Sequence, residues 1–199
     1  MPVKNSGPFS PRVVTKGKIE AVLHGRRFRL MFQDEGRFGR ITDPRRAWCQ
    51  PGERPETGCQ VIREYTYSFA AVSPQDGELD TLILPNMYTS TLSVFLAEVA
   101  RRHPDEQITM VLDGAPCHRS GALKIPENIT LVEQPPYSPE LNPTEHLWEE
   151  LREKWFWNHT FKSLDCMQST LVTALQILES QRENVMSMTQ FPWIMSALR

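Results

Sequence analysis

Residues 135–152 read PPYSPELNPTEHLWEELR, and this stretch joins a segment that cannot be helical to one that is strongly helical. Proline lacks the backbone donor that helix interiors and central strands need, and four prolines fall within residues 134–143. The last of them, Pro143, suits the first position of a helix. Apolar residues then recur at helical spacing, namely Leu147, Trp148, Leu151 and Trp155. The pattern predicts a rigid loop and then a helix to about Trp157, with Glu145 in its first turn.

Two short apolar runs precede this stretch and have the composition of strands. Ile108–Leu112 (ITMVL) is typical of a strand buried on both faces, and Asp113 follows it directly. Ile129–Val132 is a second run of this kind. The two runs predict two strands, and an acidic residue lies at the carboxyl end of the first.

Nearer the N-terminus, three further strands are predicted. Arg27–Gln33 (RFRLMFQ) alternates polar with apolar residues and predicts a strand that ends at Asp34. We expect a loop rich in Arg, Pro and Gly from Gly36 to Gly58. Val61–Val72 and Glu78–Leu84 flank a turn at residues 74–77, which predicts an antiparallel set with the first strand.

Two amphipathic helices complete the pattern. Thr89–Arg102 places four apolar side chains on one face, and Ser163–Asn184 has the same periodicity. The predicted order of elements is β, β, β, α, β, α, β, α. This order favours the α/β class, with a mixed sheet flanked by helices.

Length and composition favour one folded domain. The chain has 199 residues, of which 40% are hydrophobic, and this suits a single core. Residues 1–18 are expected to form a flexible basic arm, and residues 19–199 the folded domain. No apolar run approaches the length of a membrane span, and no signal core follows the N-terminus, so we expect a cytoplasmic protein without membrane contact. The four cysteines lack CxxC spacing, which favours reduced thiols over a disulfide framework or a zinc site.

The net charge of −2 conceals an asymmetry along the chain. Residues 1–54 hold 12 Lys and Arg against 5 Asp and Glu, a net charge of +7. The remainder holds 10 against 19, a net charge of −9. A basic segment of this kind indicates a surface that binds a polyanion. The alternative is that the basic residues are scattered over the surface and only interact with water.

Three acidic residues fall at the ends of predicted elements, and each has a structural explanation. An aspartate after a strand, such as Asp34 or Asp113, often only forms a turn. Glu145 follows Asn142 at the spacing of a capping box. Glu149 lies one turn farther along the same helical face as Glu145 and could support it.

The sequences around the three acids are more specific than the acids themselves. QDEGRFGR surrounds Asp34, VLDGAPCHRS surrounds Asp113, and PPYSPELNPTEHLWEELR surrounds Glu145. Together they resemble the bacterial insertion-sequence branch of the mariner-related DDE transposases, over about residues 27–157. The third motif carries most of the resemblance.

The resemblance implies a ribonuclease-H-like fold and a catalytic role for Asp34, Asp113 and Glu145. These carboxylates would hold two divalent ions, Mg²⁺ or Mn²⁺. The expected partners are DNA, as element ends and as target, and a second copy of the chain in the DNA complex. A separate helix-turn-helix protein or segment is expected to read the element ends, and the protein is expected to be bacterial and DNA-associated.

Five basic residues are candidates for DNA contact. Four follow the first strand, namely Arg37, Arg40, Arg45 and Arg46, and could neutralise phosphates; solvated loop charges are the alternative. His118, five residues after Asp113, could contact phosphate or position a water, or it could cap a short helix.

Three functions remain open on the sequence. The first is a transposase, and the second is a ribonuclease-H-like nuclease without strand transfer, since the same carboxylates serve both activities. The third is an inactive remnant that only binds DNA.

Overall fold

The computed structural model describes residues 11–46, 48–53 and 56–199. It contains a five-stranded sheet in the order β3-β2-β1-β4-β5. The strands are β1 (Arg27–Ile41), β2 (Val61–Val72), β3 (Leu79–Leu84), β4 (Glu106–Leu112) and β5 (Ile129–Glu133). Strand β2 pairs antiparallel with β1 and with β3, whereas β4 pairs in parallel with β1 and with β5. The described residues therefore form the predicted mixed sheet of the α/β class.

Helices cover both faces of the sheet. They are α1 (Pro11–Leu23), α2 (Thr89–Arg102), α3 (Thr144–Leu151), α4 (Leu164–Ser180), α5 (Arg182–Thr189) and α6 (Pro192–Leu198). A short 3-10 turn, Pro139–Leu141, precedes α3, and a π-helical turn, Arg152–Phe156, follows it. None of the described helices is both long enough and apolar enough to cross a membrane.

Alternation along β1 divides the core into two layers. Leu30 and Phe32 point to the side of α3 and α4, where they join a cluster that includes Trp148. Met31 points to the opposite side and packs with α2 through residues such as Phe95. The sheet is thus buried on both sides, as its parallel strands require.

The first helix corrects the prediction of a flexible arm over residues 1–18. Residues 11–23 are helical, and Val14 and Ala21 are each only 2% exposed. Burial of these side chains against the rest of the fold stabilises a helix that its own sequence favours weakly. The rest of the predicted arm, residues 1–10, lies outside the described residues.

Strand β1 is longer than predicted. It continues through Asp34 to Ile41, because β2 pairs with it from Phe32 opposite Val72 to Ile41 opposite Val61. Asp34 therefore lies inside a strand and not at its end, and the loop begins after Ile41. Pairing with β4, by contrast, ends at Phe32 opposite Val111.

Three other predicted elements differ in the structure. The predicted order of elements includes a helix between the fourth and fifth strands, but residues 113–128 form turns and irregular segments without a helix. The helix that begins after Pro143 is α-helical only to Leu151 and continues as the π-helical turn. The predicted helix Ser163–Asn184 divides near Gln181 into α4 and α5.

A buried charge cluster ties α2 to β1, β3 and β4 at the edge where β1 and β4 begin. His103 Nε2 lies 2.7 Å from Asp80 Oδ2, and its Nδ1 lies 3.0 Å from Glu106 Oε2. Arg29 binds Glu106 and Asp76. The hydrogen bond to Asp80 raises the pKa of His103, although burial opposes it.

We predict that His103→Asn destabilises the protein most at low pH. A raised pKa means that charged His103 stabilises the fold fully below about pH 6.5 and loses this effect as pH rises through the folded-state value. The variant should lose about 1–3 kcal/mol of unfolding free energy at pH 6, and the loss should shrink towards pH 9. Urea unfolding measures it, with exposed His24→Asn as the control. A loss that does not vary with pH would contradict the prediction.

Candidate active site

Asp34, Asp113 and Glu145 line one cleft of about 480 Å³. Asp34 comes from β1, Asp113 from the residue after β4, and Glu145 from the first turn of α3. The proline-rich segment 134–139 forms one wall, and Arg119 and Asn142 also line the cleft. The structure thus brings together the three acids that the sequence singled out.

Asp34 is held from the side of α3. Trp148 Nε1 donates a hydrogen bond of 2.9 Å to Asp34 Oδ2. Trp148 is 1% exposed and packs edge-to-face on Phe38, with ring centroids 5.9 Å apart. A Cβ on Gly36 would lie 2.8 Å from the Trp148 ring, so only glycine admits this approach. The predicted core role of Trp148 is confirmed, and its indole also orients an acidic side chain.

Asp113 is held by the loop that follows β4. Its Oδ1 accepts a hydrogen bond of 2.9 Å from the backbone N–H of Ala115 and lies 2.8 Å from His118 Nδ1. The hydrogen bond from His118 lowers the pKa of Asp113, against the effect of burial. Asp113 therefore stays ionised over the neutral pH range.

Glu145 does not belong to a capping box. Pro143 is the N-cap of α3 and makes no side-chain cap bond, while Asn142 Oδ1 accepts from Thr144 N at 3.1 Å. Asn142 also donates from Nδ2 to Gln33 O, at 3.0 Å, which ties the start of α3 to β1. The Glu145 carboxylate is left to line the cleft.

The three acids that line the cleft outnumber the basic side chain of Arg119, which lines it with them. Burial, and then the charge of Glu145, raise the pKa of Asp34 to about 7, although the Trp148 hydrogen bond opposes them. Burial also raises the pKa of Glu145; Arg152 opposes this, whereas Glu149 and Asp113 add to it. Carboxylates in such a site favour a cation.

The donor set suits hard divalent ions, which prefer carboxylate oxygens. Within the described part of the chain, no three His, Cys, Asp or Glu side chains gather closely enough to form a metal-binding group. The three acids therefore share the cleft without a closed ligand shell. Mg²⁺ ordinarily takes only one or two protein carboxylates and completes its shell with water and substrate phosphate.

The predicted DNA-contacting residues lie in different settings. Arg37, Arg45 and Arg46 are exposed; Arg37 lies 4.8 Å from the Tyr65 ring centroid, and Arg45 lies 4.4 Å from that of Trp157. Stacking on a ring leaves the N–H edge of a guanidinium able to contact phosphate, although Arg45 also forms an exposed ion pair with Asp43, at 3.1 Å.

Arg40 and His118 differ from these three, because both are turned inwards. Arg40 is 11% exposed and is bound to Glu64 and to the carbonyls of Phe161 and Lys162. His118 is 8% exposed, and it contacts Asp113 and Glu35. Hydrogen bonds to these two carboxylates outweigh burial and raise the pKa of His118 to about 11. His118 is thus enclosed by two carboxylates, and no helix lies among the described residues 113–128 for it to cap.

Several cleft residues carry no local sequence signal. Arg119 is 58% exposed in its side chain and pairs with Glu133. Gln134 lines the cleft beside them, and its buried Oε1 has no hydrogen-bond partner among the described residues. Only their position near Asp113 and the proline-rich motif could have pointed to them.

Comparison with known proteins identifies the family. The family model of the DDE superfamily endonucleases matches residues 29–168. An uncharacterized protein of Sinorhizobium fredii, y4pE/y4sA, is 37% identical over 130 residues, which cover 65% of this chain and 96% of that protein.

Solved structures of Mos1 transposase share the fold at low sequence identity. The pre-cleavage Mos1 transpososome aligns with a TM-score of 0.59 and 14% identity, over 100% of this chain and 67% of that chain. The catalytic domain of Mos1 mariner transposase aligns with a TM-score of 0.52 and 12% identity, over 100% of this chain and 97% of that domain. The fold is thus ribonuclease-H-like, as the sequence resemblance implied. The chain belongs to the DDE superfamily endonucleases.

Proposed function

We propose that this domain is the catalytic domain of a DNA transposase, in which Asp34, Asp113 and Glu145 hold two divalent ions for DNA cleavage and strand transfer. The observation that carries the proposal is the convergence of the three acids, from three separate elements, on one cleft. Their raised or lowered pKa values support it, because strongly perturbed acids cluster at functional sites.

The chain's own residues would orient the reactants. Trp148 fixes one oxygen of Asp34, and the Ala115 N–H and His118 fix one oxygen of Asp113. Arg119, at the cleft, would contact a phosphate of the DNA. Mg²⁺ or Mn²⁺, when bound, supplies Lewis acidity that activates an attacking oxygen and stabilises a leaving one.

The proposed reaction has two displacements at phosphorus. Water attacks first, a P–O bond breaks, and a 3′-hydroxyl is released at the element end. That hydroxyl then attacks a phosphodiester of the target, so that one P–O bond forms and another breaks. No protein atom becomes covalently attached in either step.

DNA is the proposed partner, in the form of element ends and target. Mos1 transposase has been solved in a paired-end complex with a transposon end, with a TM-score of 0.55 and 15% identity to this chain. By analogy we include a pair of copies on two DNA ends in the proposal. Sequence recognition would need an element that enters a groove, so we assign it to a separate helix-turn-helix segment or protein.

We predict that Asp34→Asn, Asp113→Asn and Glu145→Gln each abolish cleavage of duplex DNA and joining of pre-cleaved ends in Mg²⁺ or Mn²⁺. Each substitution removes a charged ligand while keeping the shape of the side chain. Gel assays with labelled DNA measure both steps, and Glu127→Gln, in an exposed loop, is the matched control. Full activity in any of the three variants would remove that residue from the site. If the wild type cleaves DNA but does not join ends, the protein is a nuclease without strand transfer. If it performs neither step, it is an inactive remnant.

We predict that Asp34→Asn stabilises the metal-free protein increasingly as pH rises from 5 to 8. The pKa of Asp34 is about 7, above its ordinary 3.8, so the folded wild type loses stability as pH rises through this interval. Asparagine does not titrate, and its oxygen can still accept from Trp148. The variant should gain roughly 1–4 kcal/mol at pH 8 relative to pH 5 in chelator-treated samples. A difference from wild type that stays constant with pH would contradict the prediction.

We predict that Arg37, Arg45 and Arg46 contribute to DNA affinity through phosphate contacts and that Arg40 does not. Each lost contact should reduce the slope of log K against log salt by about 0.7 to 0.9, so replacing the three with glutamine should flatten it by about 2 to 2.7. Arg40→Gln should leave the slope unchanged and lower the melting temperature. Fluorescence anisotropy at several salt concentrations measures the slope. An unchanged slope in the triple variant would assign these arginines to solvation.

A further inference from the structure

The separation between Asp34 and Asp113 is not set by strand pairing. Strands β1 and β4 pair in parallel only as far as Phe32 and Val111. Asp34 lies two residues after Phe32, and Asp113 lies two residues after Val111. Another contact must therefore hold the loop after β4 against β1 at the cleft.

Glu35 and His118 make that contact on the other face of the sheet. Side chains alternate along a strand, so Glu35 points away from the face that carries Asp34. Glu35 Oε1 lies 3.2 Å from His118 Nε2 and also accepts from Gln33 Nε2, at 3.0 Å. The side chains of Glu35 and His118 are only 4% and 2% exposed. Glu35 is thus a buried acid that does not line the cleft.

The imidazole of His118 joins this buried acid to Asp113. Its Nδ1 lies 2.8 Å from Asp113 Oδ1 and 2.9 Å from the Asp113 carbonyl oxygen. Both ring nitrogens lie within hydrogen-bond distance of carboxylate oxygens. The imidazole thereby links β1 to both the backbone and the side chain of Asp113.

We propose that Glu35 and His118 are a positioning pair that fixes Asp113 relative to Asp34 and orients its carboxylate for a metal ion. The inference rests on the proposed function of these two aspartates. Ala115 N donates to Oδ1 of Asp113 and His118 Nδ1 lies 2.8 Å from the same oxygen, so Oδ2 is the oxygen that remains for a ligand. Glu35 holds the imidazole, and the imidazole holds Asp113.

In many metal sites a side chain that does not touch the metal binds one of the ligands and fixes its orientation. His118, held by Glu35, would act on Asp113 in this way. Such partners fix the orientation of a ligand, and their loss typically weakens metal affinity about 10- to 100-fold. Removing only His118 would leave Glu35 as a buried unpaired charge, which destabilises a fold strongly. The test variants therefore neutralise Glu35 as well.

Two variants separate positioning from a purely structural role. In E35Q/H118N the asparagine amide can occupy the place of Nδ1 and still donate to Asp113. In E35Q/H118Q the glutamine amide reaches instead towards the place of Nε2, so Asp113 loses this donor. Both variants have the same charge, and both lack the buried ion pair.

The experiment is titration of the full chain with Mn²⁺, followed by electron paramagnetic resonance, with melting temperatures measured in parallel. We expect E35Q/H118Q to bind Mn²⁺ about 10- to 100-fold more weakly than wild type, and E35Q/H118N to recover most of that loss. E127Q, as the control, should match the wild type. Wild-type affinity in E35Q/H118Q, or equal losses in both double variants, would overturn the proposal.

Two further variants separate the failure of this inference from the failure of the proposed function. If D113N binds Mn²⁺ as the wild type does, Asp113 is not a ligand, and the proposed function and the positioning role are both overturned. If D113N loses binding while E35Q/H118Q retains it, only the positioning role is overturned. Should E35Q/H118Q not fold, E35Q decides: weaker binding supports the role of Glu35, and unchanged binding overturns it.

Discussion

Mutual repulsion among three carboxylates is the constraint on which the arrangement of the cleft depends. Asp34, Asp113 and Glu145 line one cavity together with the basic side chain of Arg119. The chain holds the three acids with separate supports: an indole for Asp34, a backbone N–H and an imidazole for Asp113, and the helix start for Glu145. Negative charge that the fold keeps in place is what a divalent ion would require, and bound ions would in turn offset the repulsion between these acids and a phosphate backbone.

The supports all depend on the central strand. Strand β1 continues past its last pair with β4 because β2 goes on pairing with it, and this places Asp34 at the cleft. Successive residues of β1 then point to opposite faces, so Asp34 meets Trp148 on one side and Glu35 meets His118 on the other. Strand β1 thereby supplies Asp34, a proposed metal ligand, and Glu35, which holds His118 beside Asp113.

The fold class and four of the five strands, to within about two residues, could be predicted from alternation and apolar runs, whereas the three acids that line the cleft were singled out by the family resemblance of the motifs around them. The sequence misled at two glycines. Gly36 began the predicted loop, yet it lies within β1, paired with Ser68 and packed against the Trp148 ring. Gly17 belongs to the predicted flexible arm, yet a Cβ there would overlap Phe28 and Thr109, so glycine is what lets the helix approach the sheet. Contacts between distant residues, such as Glu35 with His118, leave no local pattern at all.

The central claim is that Asp34, Asp113 and Glu145 are the metal ligands of this endonuclease. The most direct measurement is an anomalous difference map, recorded at the manganese edge, from crystals of the chain with duplex DNA and Mn²⁺. The account predicts two peaks about 3.5 to 4 Å apart, each within bonding distance of carboxylate oxygens from these three residues. Peaks bound instead by Glu35 or Glu149, with the three acids left uncoordinated, would contradict it.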